Sequence, residues 1–524
     1  MPAPHAPGHT GEANSGPGAL WLLLAAGVVT AWFSPLTDAD LPLHLRIGDL
    51  LRTSDGWPHL EPVSWTRAGA PWYAYSWLPE WLYAQAWALA GAAGLAGLHA
   101  VLTGASIVAV WDVARRDAWS VWGTRLFLGL HLVLWTIVQP ATRPQLVLAI
   151  AVPMAWGAAL RLRDGEMLWG AGMALLAAML AVNSHLLFPL GMAPGLLILA
   201  EAKRAPRGAL VVFVVATLLG WCATPYLFEL PAIFALNFAT NALFGAGAAI
   251  QEHEPGFRWF THAPLGMQAL TFLMLVLPVL PSSFGQPAGR LRWLTVAWLA
   301  GLGLFVLAVR GLLLWWLLAM PLTAAALGSI PLPQRASTMR AVRAAWLFML
   351  AALPLQAWQA RMAMSTPGHP LPTPPLPHPE AAALEPVVAW LQCVTAGDVV
   401  ATAAVGAHAT TVFNYGSYLA WRVPSLSWSV DGRTIFPDSV SRAEAEQGRA
   451  GSRWHPPYGS AVAVVLPPWH VTGHLLDGDS AFVRVPLSRA GGTPESSTAH
   501  LWARRSWMEA VGPKSGRNAC GNGA

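Results

Sequence analysis

Long apolar runs separated by short polar breaks constrain this chain more than any other feature of its sequence. A run of about 20 apolar residues can cross the hydrocarbon of a bilayer as a helix. Of the 524 residues, 55% are hydrophobic and only 11% are charged, whereas soluble domains carry about 25% charged residues. We therefore predict an all-α polytopic membrane protein with about eleven transmembrane helices. The predicted spans are 19–33, 82–111, 121–139, 144–160, 167–183, 185–201, 208–225, 263–281, 292–309, 311–328 and 344–358.

The basic residues predict the orientation of these spans. Short clusters of Arg and Lys follow every even-numbered span, and such clusters remain on the cytoplasmic side of a membrane. The N-terminus is therefore expected in the cytoplasm and the C-terminus on the outer side. Because the basic residues recur between spans and form no single patch, no nucleic-acid partner is expected. The clusters are Arg115 and Arg116; Arg161 and Arg163; Lys203, Arg204 and Arg207; Arg290 and Arg292; and Arg335, Arg340 and Arg343.

Composition divides the chain into segments. The polar N-terminus is expected to be disordered, and a Pro-rich stretch after the last span is expected to be an extended linker. The runs DVVATAAV, SAVAVVLPP and HLWARRS then predict strands of a small C-terminal α/β domain on the outer side. The predicted boundaries are 1–18 for the disordered N-terminus, 19–358 for the transmembrane domain, 359–380 for the linker, 381–510 for the soluble domain and 511–524 for a disordered tail.

The chain has three cysteines, and no pair has the spacing of metal ligands. Cys222 lies in an apolar run and is expected to serve packing alone. Cys393 and Cys520 both fall in the part expected outside, where a disulfide between them could form.

Two long loops, 34–81 and 226–262, are expected on the outer side, and long loops are usually functional. The first places Asp38, Asp40, His44 and Arg46 directly after the first span. Carboxylates, an imidazole and a guanidinium together suit acid–base or metal chemistry on a phosphorylated or hydroxylated substrate. A solvated loop that merely holds charges would contain the same residues, and spacing alone does not separate the two interpretations.

The first outer loop also contains a series of short motifs in a fixed order. They are the Asp-x-Asp at Asp38, His-x-x-x-Gly from His44, Pro-x-Ser-x-Thr, Gly-x-Pro-Trp and a Trp-Leu-x-Glu that ends at Glu80. This order resembles the first periplasmic loop of bacterial membrane proteins of the GT-C superfamily, the glycosyltransferases that use lipid-linked sugars. Further matches follow in order: RPQLVLA from Arg143, Asn183-Ser184-His185, ATPYLFE, IQEHEPG, Arg310 with Gly311, VFNYGSYLAWRVP and SVDGR.

The resemblance implies a bacterial inner-membrane enzyme that acts at the periplasmic face. Its donor would be a polyprenyl-phosphate sugar, its acceptor a glycan, lipid or protein, and its setting the membrane lipid. Asp38 would accept the acceptor's proton or help to hold a divalent metal (Mg or Mn), with Asp40 as the alternative or second member. The substrate-binding residues implied are His44, Arg46, Glu80, Arg143, Asn183, His185, Glu252, His253 and Arg310, with the arginines on the phosphate.

The sequence departs from the family pattern at two places. The relatives usually carry Trp between the second Asp and the His, where this chain has Leu41-Pro42-Leu43, and Glu-Trp where it has Glu252-His253. Structural roles also remain open for several residues: Arg143 and Arg310 could snorkel to headgroups, Asn183 and His185 could satisfy a helix break, and Glu80 could be a helix-terminus charge. A transporter, or a non-catalytic scaffold of the same fold, would be the alternative to an enzyme.

Overall fold

The structure is a computed structural model, and it describes residues 17–36, 38, 40–117, 121–138, 143–202, 205–240, 256–263, 265–276, 292–307, 312–329, 336–364, 381–395, 407–429, 461–468, 470, 472–487 and 499–511. These residues are mostly helical, with one small sheet. The helices of the first part are α1 (Pro17–Phe33), α2 (Leu41–Thr53), α3 (Trp77–Arg116), α4 (Val121–Val138), α5 (Leu148–Arg163), α6 (Met167–Val182), α7 (Phe188–Glu201), α8 (Ala209–Trp221), α9 (Leu230–Thr240), α10 (Gly256–His262), α11 (Leu265–Val276), α12 (Arg292–Leu307), α13 (Leu312–Ser329) and α14 (Ala336–Met364).

Each predicted span overlaps one of these helices, but both outer loops also contain helices that the sequence analysis left unassigned. Helix α2 lies in the first loop, and α9 and α10 lie in the second. Two stretches of the described residues, Trp77–Arg116 and Pro144–Arg163, have both the length and the hydropathy to cross a membrane. The number of crossings therefore stays a prediction. Helix α14 also continues to Met364, beyond the predicted linker start at 359.

Small side chains bring α5 and α6 close together. The facing residues Ala155 and Ala158 on α5 and Ala174 and Ala178 on α6 are all fully buried. Alanines at a helix interface let two backbones approach closely, which membrane helices use in place of a hydrophobic driving force. The rest of the bundle packs around larger rings, among them Trp156, Trp315 and Trp316.

A buried hydrogen-bond network joins four helices of the bundle. The Trp316 indole donates to His131 Nδ1 at 3.0 Å, so His131 Nε2 carries the proton and donates to Ser106 Oγ at 2.9 Å. Ser106 in turn donates to the carbonyl oxygen of Ala149 at 3.0 Å. Each of these polar groups would be costly to bury without a partner, so the network fixes how α3, α4, α5 and α13 pack.

Helix α3 is longer than a membrane crossing requires. Its 40 residues would extend about 60 Å, about twice the thickness of the hydrocarbon. The backbone leaves the helical conformation at Ala90 and Gly91, and Gly91 has a φ of 56°, which favours glycine. Before this kink, Trp87 packs edge-to-face on Trp421 of the C-terminal part. Trp87, which lies within the predicted span, is therefore beside the C-terminal part of the chain.

The C-terminal part contains a five-stranded mixed sheet with helices around it. Its strands follow the order β2-β1-β3-β5-β4, with β1 parallel to β2 and β3, and β5 antiparallel to β3 and β4. Two of the predicted strand segments contain β3 and β5, while DVVATAAV lies outside the described residues. The elements are α15 (Ala381–Thr395), β1 (His408–Thr411), α16 (Phe413–Arg422), β2 (Ser427–Trp428), β3 (Ala463–Leu466), α17 (Thr472–Asp477), β4 (Phe482–Arg484), β5 (His500–Arg504) and α18 (Arg505–Val511).

The first outer loop and the C-terminal sheet share one hydrophobic core. Leu43 and Ile47 of α2 are buried in the same cluster as Leu384 of α15 and Trp428 of β2. The loop also meets the edge of the sheet directly, because the hydroxyls of Ser64 and Thr66 both donate to the carbonyl oxygen of Ser429, at 2.8 and 2.6 Å. The position of α2 therefore depends on the C-terminal part as well as on α3.

Candidate active site

The candidate site is built around an ion pair between residues 105 positions apart in sequence. Arg143 directly precedes the 3-10 turn Pro144–Val147 that leads into α5. Its Nε donates to Asp38 Oδ2, and its Nη2 donates to Asp38 Oδ1 at 3.1 Å. The same Nη2 lies 3.7 Å from Asp40 Oδ2. One guanidinium therefore holds both carboxylates of the Asp-x-Asp motif, and its two-pronged contact to Asp38 has the geometry that only arginine supplies.

Local backbone geometry explains why the two aspartates lie where they do. Asp38 Oδ1 accepts the backbone N–H of Asp40 at 2.9 Å, and Asp40 is the N-cap of α2. The partial positive charge of a helix N-terminus favours carboxylates at this position. Leu41 and Leu43 are buried in place of the expected Trp, and Pro42 lies at the first turn, where a missing N–H costs nothing.

The two aspartates differ in their access to solvent. The side chain of Asp38 is 2% exposed and is enclosed by Arg143, whereas that of Asp40 is 32% exposed. Asp40 is therefore the more accessible of the two carboxylates to a molecule from solvent.

A second buried pair lies one turn further along α2. His44 Nδ1 is 3.0 Å from Glu80 Oε1 on α3, and it must be the donor because a carboxylate only accepts. Burial lowers the pKa of His44, but the hydrogen bond to Glu80 and the negative charges of Glu80, Asp40 and Asp38 outweigh it, so the pKa lies above its ordinary value. The pairing shows that Glu80 is more than a helix-terminus charge.

Two polar atoms beside this pair are buried without partners. Glu80 Oε2 and the Tyr83 hydroxyl make no hydrogen bond among the residues that the structure describes. The Tyr83 ring lies edge-on to His44, with centroids 6.4 Å apart. Groups of this kind are expensive to bury, and a bound polar substrate or water would satisfy them. The sequence analysis did not single out Tyr83, although it lies three residues after Glu80 on the same helical face.

Gly48 allows α2 to approach α3 closely enough for the His44–Glu80 pair. A Cβ at this position would overlap the backbone carbonyl of Glu80 and lie 2.7 Å from the Cβ of Ala84. Four residues separate His44 from Gly48, so both lie on the face of α2 that contacts α3. The His-x-x-x-Gly motif thus has a packing reason of its own.

Asn183 joins three helix ends. Its Nδ2 donates to the carbonyls of Met179 and Ala223, both at 2.8 Å, and its Oδ1 accepts the Trp77 indole N–H at 2.6 Å. All three contacts serve the protein itself, so Asn183 positions the start of α3. His185 lies in the break between α6 and α7, where its Nδ1 accepts the backbone N–H of Leu187 at 3.1 Å.

The remaining predicted site residues do not join this cluster. Arg46 makes no hydrogen bond or ion pair with Asp38, Asp40, His44 or Glu80, and burial lowers its pKa. Glu252, His253 and Arg310 lie outside the described residues. The ATPYLFE match instead contributes Tyr226, which is fully buried and whose hydroxyl donates to the Pro58 carbonyl at 3.2 Å.

Among the residues that the structure describes, the site does not have the donors of a resident divalent metal. Asp38 and Asp40 would be the ligands, but the Arg143 guanidinium already neutralises Asp38. Among the described residues, no group of three or more His, Cys, Asp or Glu side chains could hold a metal ion. We therefore assign no chemical step to a metal.

The described residues are mostly helical, with two stretches that fit a membrane and one small sheet. The chain is similar to the cryo-EM structure of the arabinofuranosyltransferase AftD from Mycobacteria, with a TM-score of 0.53 and 15% sequence identity. The match covers 94% of this chain and 40% of the AftD chain. This likeness shows a shared fold. No protein-family model and no curated protein matches the sequence.

Proposed function

We propose that this protein is a membrane glycosyltransferase that transfers a sugar from a polyprenyl-phosphate donor to an acceptor on the outer face of a bacterial inner membrane. The observation that carries the proposal is the cluster in which Arg143 pairs with Asp38 and lies beside Asp40, between the end of α1 and the start of α5. The GT-C-like fold supports it. A lipid-linked donor has its tail in the bilayer and its sugar phosphate at the surface, which is where such a cluster is useful.

In the proposed step, Asp40 accepts the proton of an acceptor hydroxyl. The acceptor oxygen forms a bond to the anomeric carbon as the bond from that carbon to the phosphate oxygen breaks, and configuration inverts. The departing polyprenyl phosphate keeps the electron pair, and positively charged groups stabilise it. Arg143, which lies beside Asp40, is one such group. Arg310 is a further candidate from the family resemblance.

Asp38 has a different role in this scheme. It is enclosed and bound on both oxygens by Arg143, so it serves as a positioning residue that orients the guanidinium. The His44–Glu80 pair fixes α2 against α3 and so sets the position of Asp40 at the start of α2. The sequence analysis favoured Asp38 as the base, and the difference in exposure between the two carboxylates transfers that role to Asp40.

The expected outward placement of the C-terminal part has support from its cysteine. Cys393 is disulfide-bonded, whereas Cys222 is free, and disulfides persist in oxidising compartments such as the periplasm. Cys520, with which the sequence allows a disulfide to form, lies outside the described residues.

A profile of the cell-envelope glycans tests the proposal, and it does not require the transferred sugar to be known. A strain that lacks this protein would be complemented with the wild type, Asp38→Asn, Asp40→Asn or Asp55→Asn, and its glycans and glycolipids profiled. We expect one glycan modification to disappear with Asp40→Asn and to weaken with Asp38→Asn. Asp55 is an exposed carboxylate in the same loop, so Asp55→Asn should match the wild type. Wild-type profiles from folded, inserted Asp38→Asn and Asp40→Asn would instead favour a non-catalytic scaffold.

A further inference from the structure

A groove with a volume of about 620 Å³ lies between the outer part of α3 and the C-terminal domain. Trp87 of α3 lines one wall, and the ends of α15 and α16 with the turn after α16 line the other. Its volume is within the range of about 300–1,000 Å³ found for small-molecule sites. None of its lining residues belongs to the Asp38–Arg143 or His44–Glu80 pairs, so it is a separate feature of the molecule.

Two tryptophans give the groove an aromatic surface. Trp87 and Trp421 pack edge-to-face, with centroids 4.9 Å apart and an interplanar angle of 80°, and both are half-buried. Each indole of an edge-to-face pair keeps a face that the partner ring does not cover. The Arg422 guanidinium lies over the Trp421 ring, 5.6 Å from its centroid, and so covers part of the Trp421 surface. The negative face of an indole attracts the slightly positive C–H groups on one side of a sugar ring.

The charge of the groove is balanced within the protein. Arg422 is the charged residue among those that line it, and its Nη1 lies 2.9 Å from Glu385 Oε1. Its Nη2 donates to Glu385 Oε2 at 3.4 Å. A guanidinium bound on two atoms by a carboxylate has little charge left for a phosphate or an anionic lipid headgroup. The groove therefore favours a neutral ligand.

The rim supplies groups that both donate and accept hydrogen bonds. The amide nitrogen of Gln392 donates to the Arg422 carbonyl at 2.6 Å, which orients the amide. Ser425 Oγ donates to Thr395 Oγ1 at 3.1 Å, and both hydroxyls lie on the rim. Aromatic faces, amides and hydroxyls without net charge together match the surface of a carbohydrate. We propose that this groove binds a neutral glycan.

Its position suggests that the bound glycan is part of the acceptor. Trp87 lies seven residues after Glu80, which is about 10 Å along a helix. Tyr83 lies between them and contacts His44. A short oligosaccharide that occupies the groove could therefore reach towards Asp40. This assignment as acceptor rests on the proposed function, whereas glycan binding does not.

Binding to the full-length protein in nanodiscs tests the groove. The probes are soluble neutral oligosaccharides of arabinose, mannose, galactose and glucose, with inorganic phosphate as an anionic probe, and the readout is saturation-transfer NMR. We expect at least one oligosaccharide to bind the wild type and Trp421→Ala to weaken it about tenfold. Trp421→Phe should weaken binding less, and Trp169→Ala, at an exposed tryptophan of α6, should leave it unchanged.

Three results would overturn the proposal: no oligosaccharide binds the wild type, phosphate alone binds in a way that depends on Arg422, or folded Trp421→Ala and Trp421→Phe bind like the wild type. Asp40→Asn separates the groove from the catalytic proposal. It should retain oligosaccharide binding while transfer is lost, and wild-type transfer by Asp40→Asn would refute the catalytic role alone.

Discussion

Asp38 and Asp40 are two positions apart in sequence, yet the fold gives them different surroundings. Asp38 is enclosed by a guanidinium that arrives from the start of α5, whereas Asp40 caps α2 and faces outwards. The sequence could place both carboxylates in one loop, but it could not distinguish them. Their difference depends on Arg143, which lies about a hundred positions further along the chain. No local sequence pattern predicts that Arg143 contacts Asp38 in the folded protein.

Replacement of Arg143 with Lys should impair the site even though the charge is kept. A lysine ammonium is a point charge and cannot contact both oxygens of Asp38 while it also lies beside Asp40. We expect a loss of about 1–3 kcal/mol in the free energy of unfolding, because the buried Asp38 loses part of its pairing, together with a large loss of transfer. Thermal unfolding and glycan profiling would measure the two effects.

Arg52→Lys is the matched control, since the exposed Arg52 pairs with Asp49 at 3.5 Å on the same helix. A variant Arg143→Lys that behaves like Arg52→Lys in both measurements would contradict the role assigned to the ion pair.

The His44–Glu80 pair predicts how stability depends on pH. The pKa of His44 is above its ordinary value of 6.5 in the folded protein, so protonation stabilises the fold. That contribution is complete below the unfolded value and disappears as pH rises through the raised pKa. Glu80→Gln removes the charge that holds the imidazolium, so its melting temperature should fall below the wild type most at about pH 5 and least at about pH 8.

Asp55→Asn again provides the control, because its melting temperature should follow the wild type across this pH range. If the difference in melting temperature between Glu80→Gln and the wild type widened as pH rises, His44 would be neutral in the folded protein.

At the scale of elements, α2 is the part of the fold that the sequence analysis missed. From Leu43, the residues LHLRI alternate apolar and polar side chains, a period typical of a strand, and every apolar residue of this stretch is buried. The alternation occurs because α2 is buried on two sides: Leu41 and Leu45 pack on α3, while Leu43 and Ile47 pack on the C-terminal domain. Hydropathy detects a helix in lipid, but it gives no signal for one between two protein surfaces.

The long apolar helices were easier to predict, because apolar runs of this length have few other uses. The Asp-x-Asp and His-x-x-x-Gly motifs likewise identified residues that the fold brings to one place. The pairing of His44 with Glu80 was not predicted. The sequence analysis assigned each residue separately to substrate binding. The pairing requires the α2–α3 contact, which the sequence analysis could not supply without α2.

Gly48→Ala tests whether that contact matters. The added methyl group would overlap the Glu80 carbonyl, so α2 would have to move away from α3. Overpacking of this kind costs about 1–3 kcal/mol, and it outweighs the gain in helix propensity of about 1 kcal/mol that alanine offers. We expect a lower melting temperature and reduced transfer.

Gly56→Ala is the control in the same loop, because a Cβ at Gly56 meets nothing within 4 Å. If Gly48→Ala were as stable as Gly56→Ala or more stable, the close approach of α2 and α3 would not be needed.

In the whole molecule, the first outer loop and the C-terminal domain must lie on the same side of the membrane. They share a core, so they cannot be separated by a bilayer. The first two basic clusters contain arginines that are paired with acids: Arg161 donates to Asp112 at 2.6 Å and Arg116 donates to Glu166 at 2.8 Å. The ion pairs tie the ends of α3, α5 and α6 together, and they do not alter the topological rule, which counts basic residues.

Cysteine labelling tests this sidedness. In a Cys222→Ser background, single cysteines at exposed positions would be introduced as Asp55→Cys, Ser480→Cys and Arg207→Cys. A membrane-impermeant maleimide applied to spheroplasts should label the first two, and Arg207→Cys should react only after permeabilisation. Labelling of Asp55→Cys and Ser480→Cys from opposite sides would be incompatible with the shared core.

The level of the lipid-linked donor in the membrane directly tests whether Asp40 is the base of a glycosyltransferase. When a transferase loses its base, the sugar donor that it consumes should accumulate in the membrane. Mass spectrometry of polyprenyl-phosphate sugars would compare strains that carry the wild type, Asp40→Asn or Asp55→Asn at equal amounts of inserted protein. We expect one polyprenyl-phosphate sugar to accumulate with Asp40→Asn, because a general base contributes about 10²–10⁴-fold to rate. No accumulation is expected with Asp55→Asn. Identical donor pools in all three strains would contradict this role of Asp40.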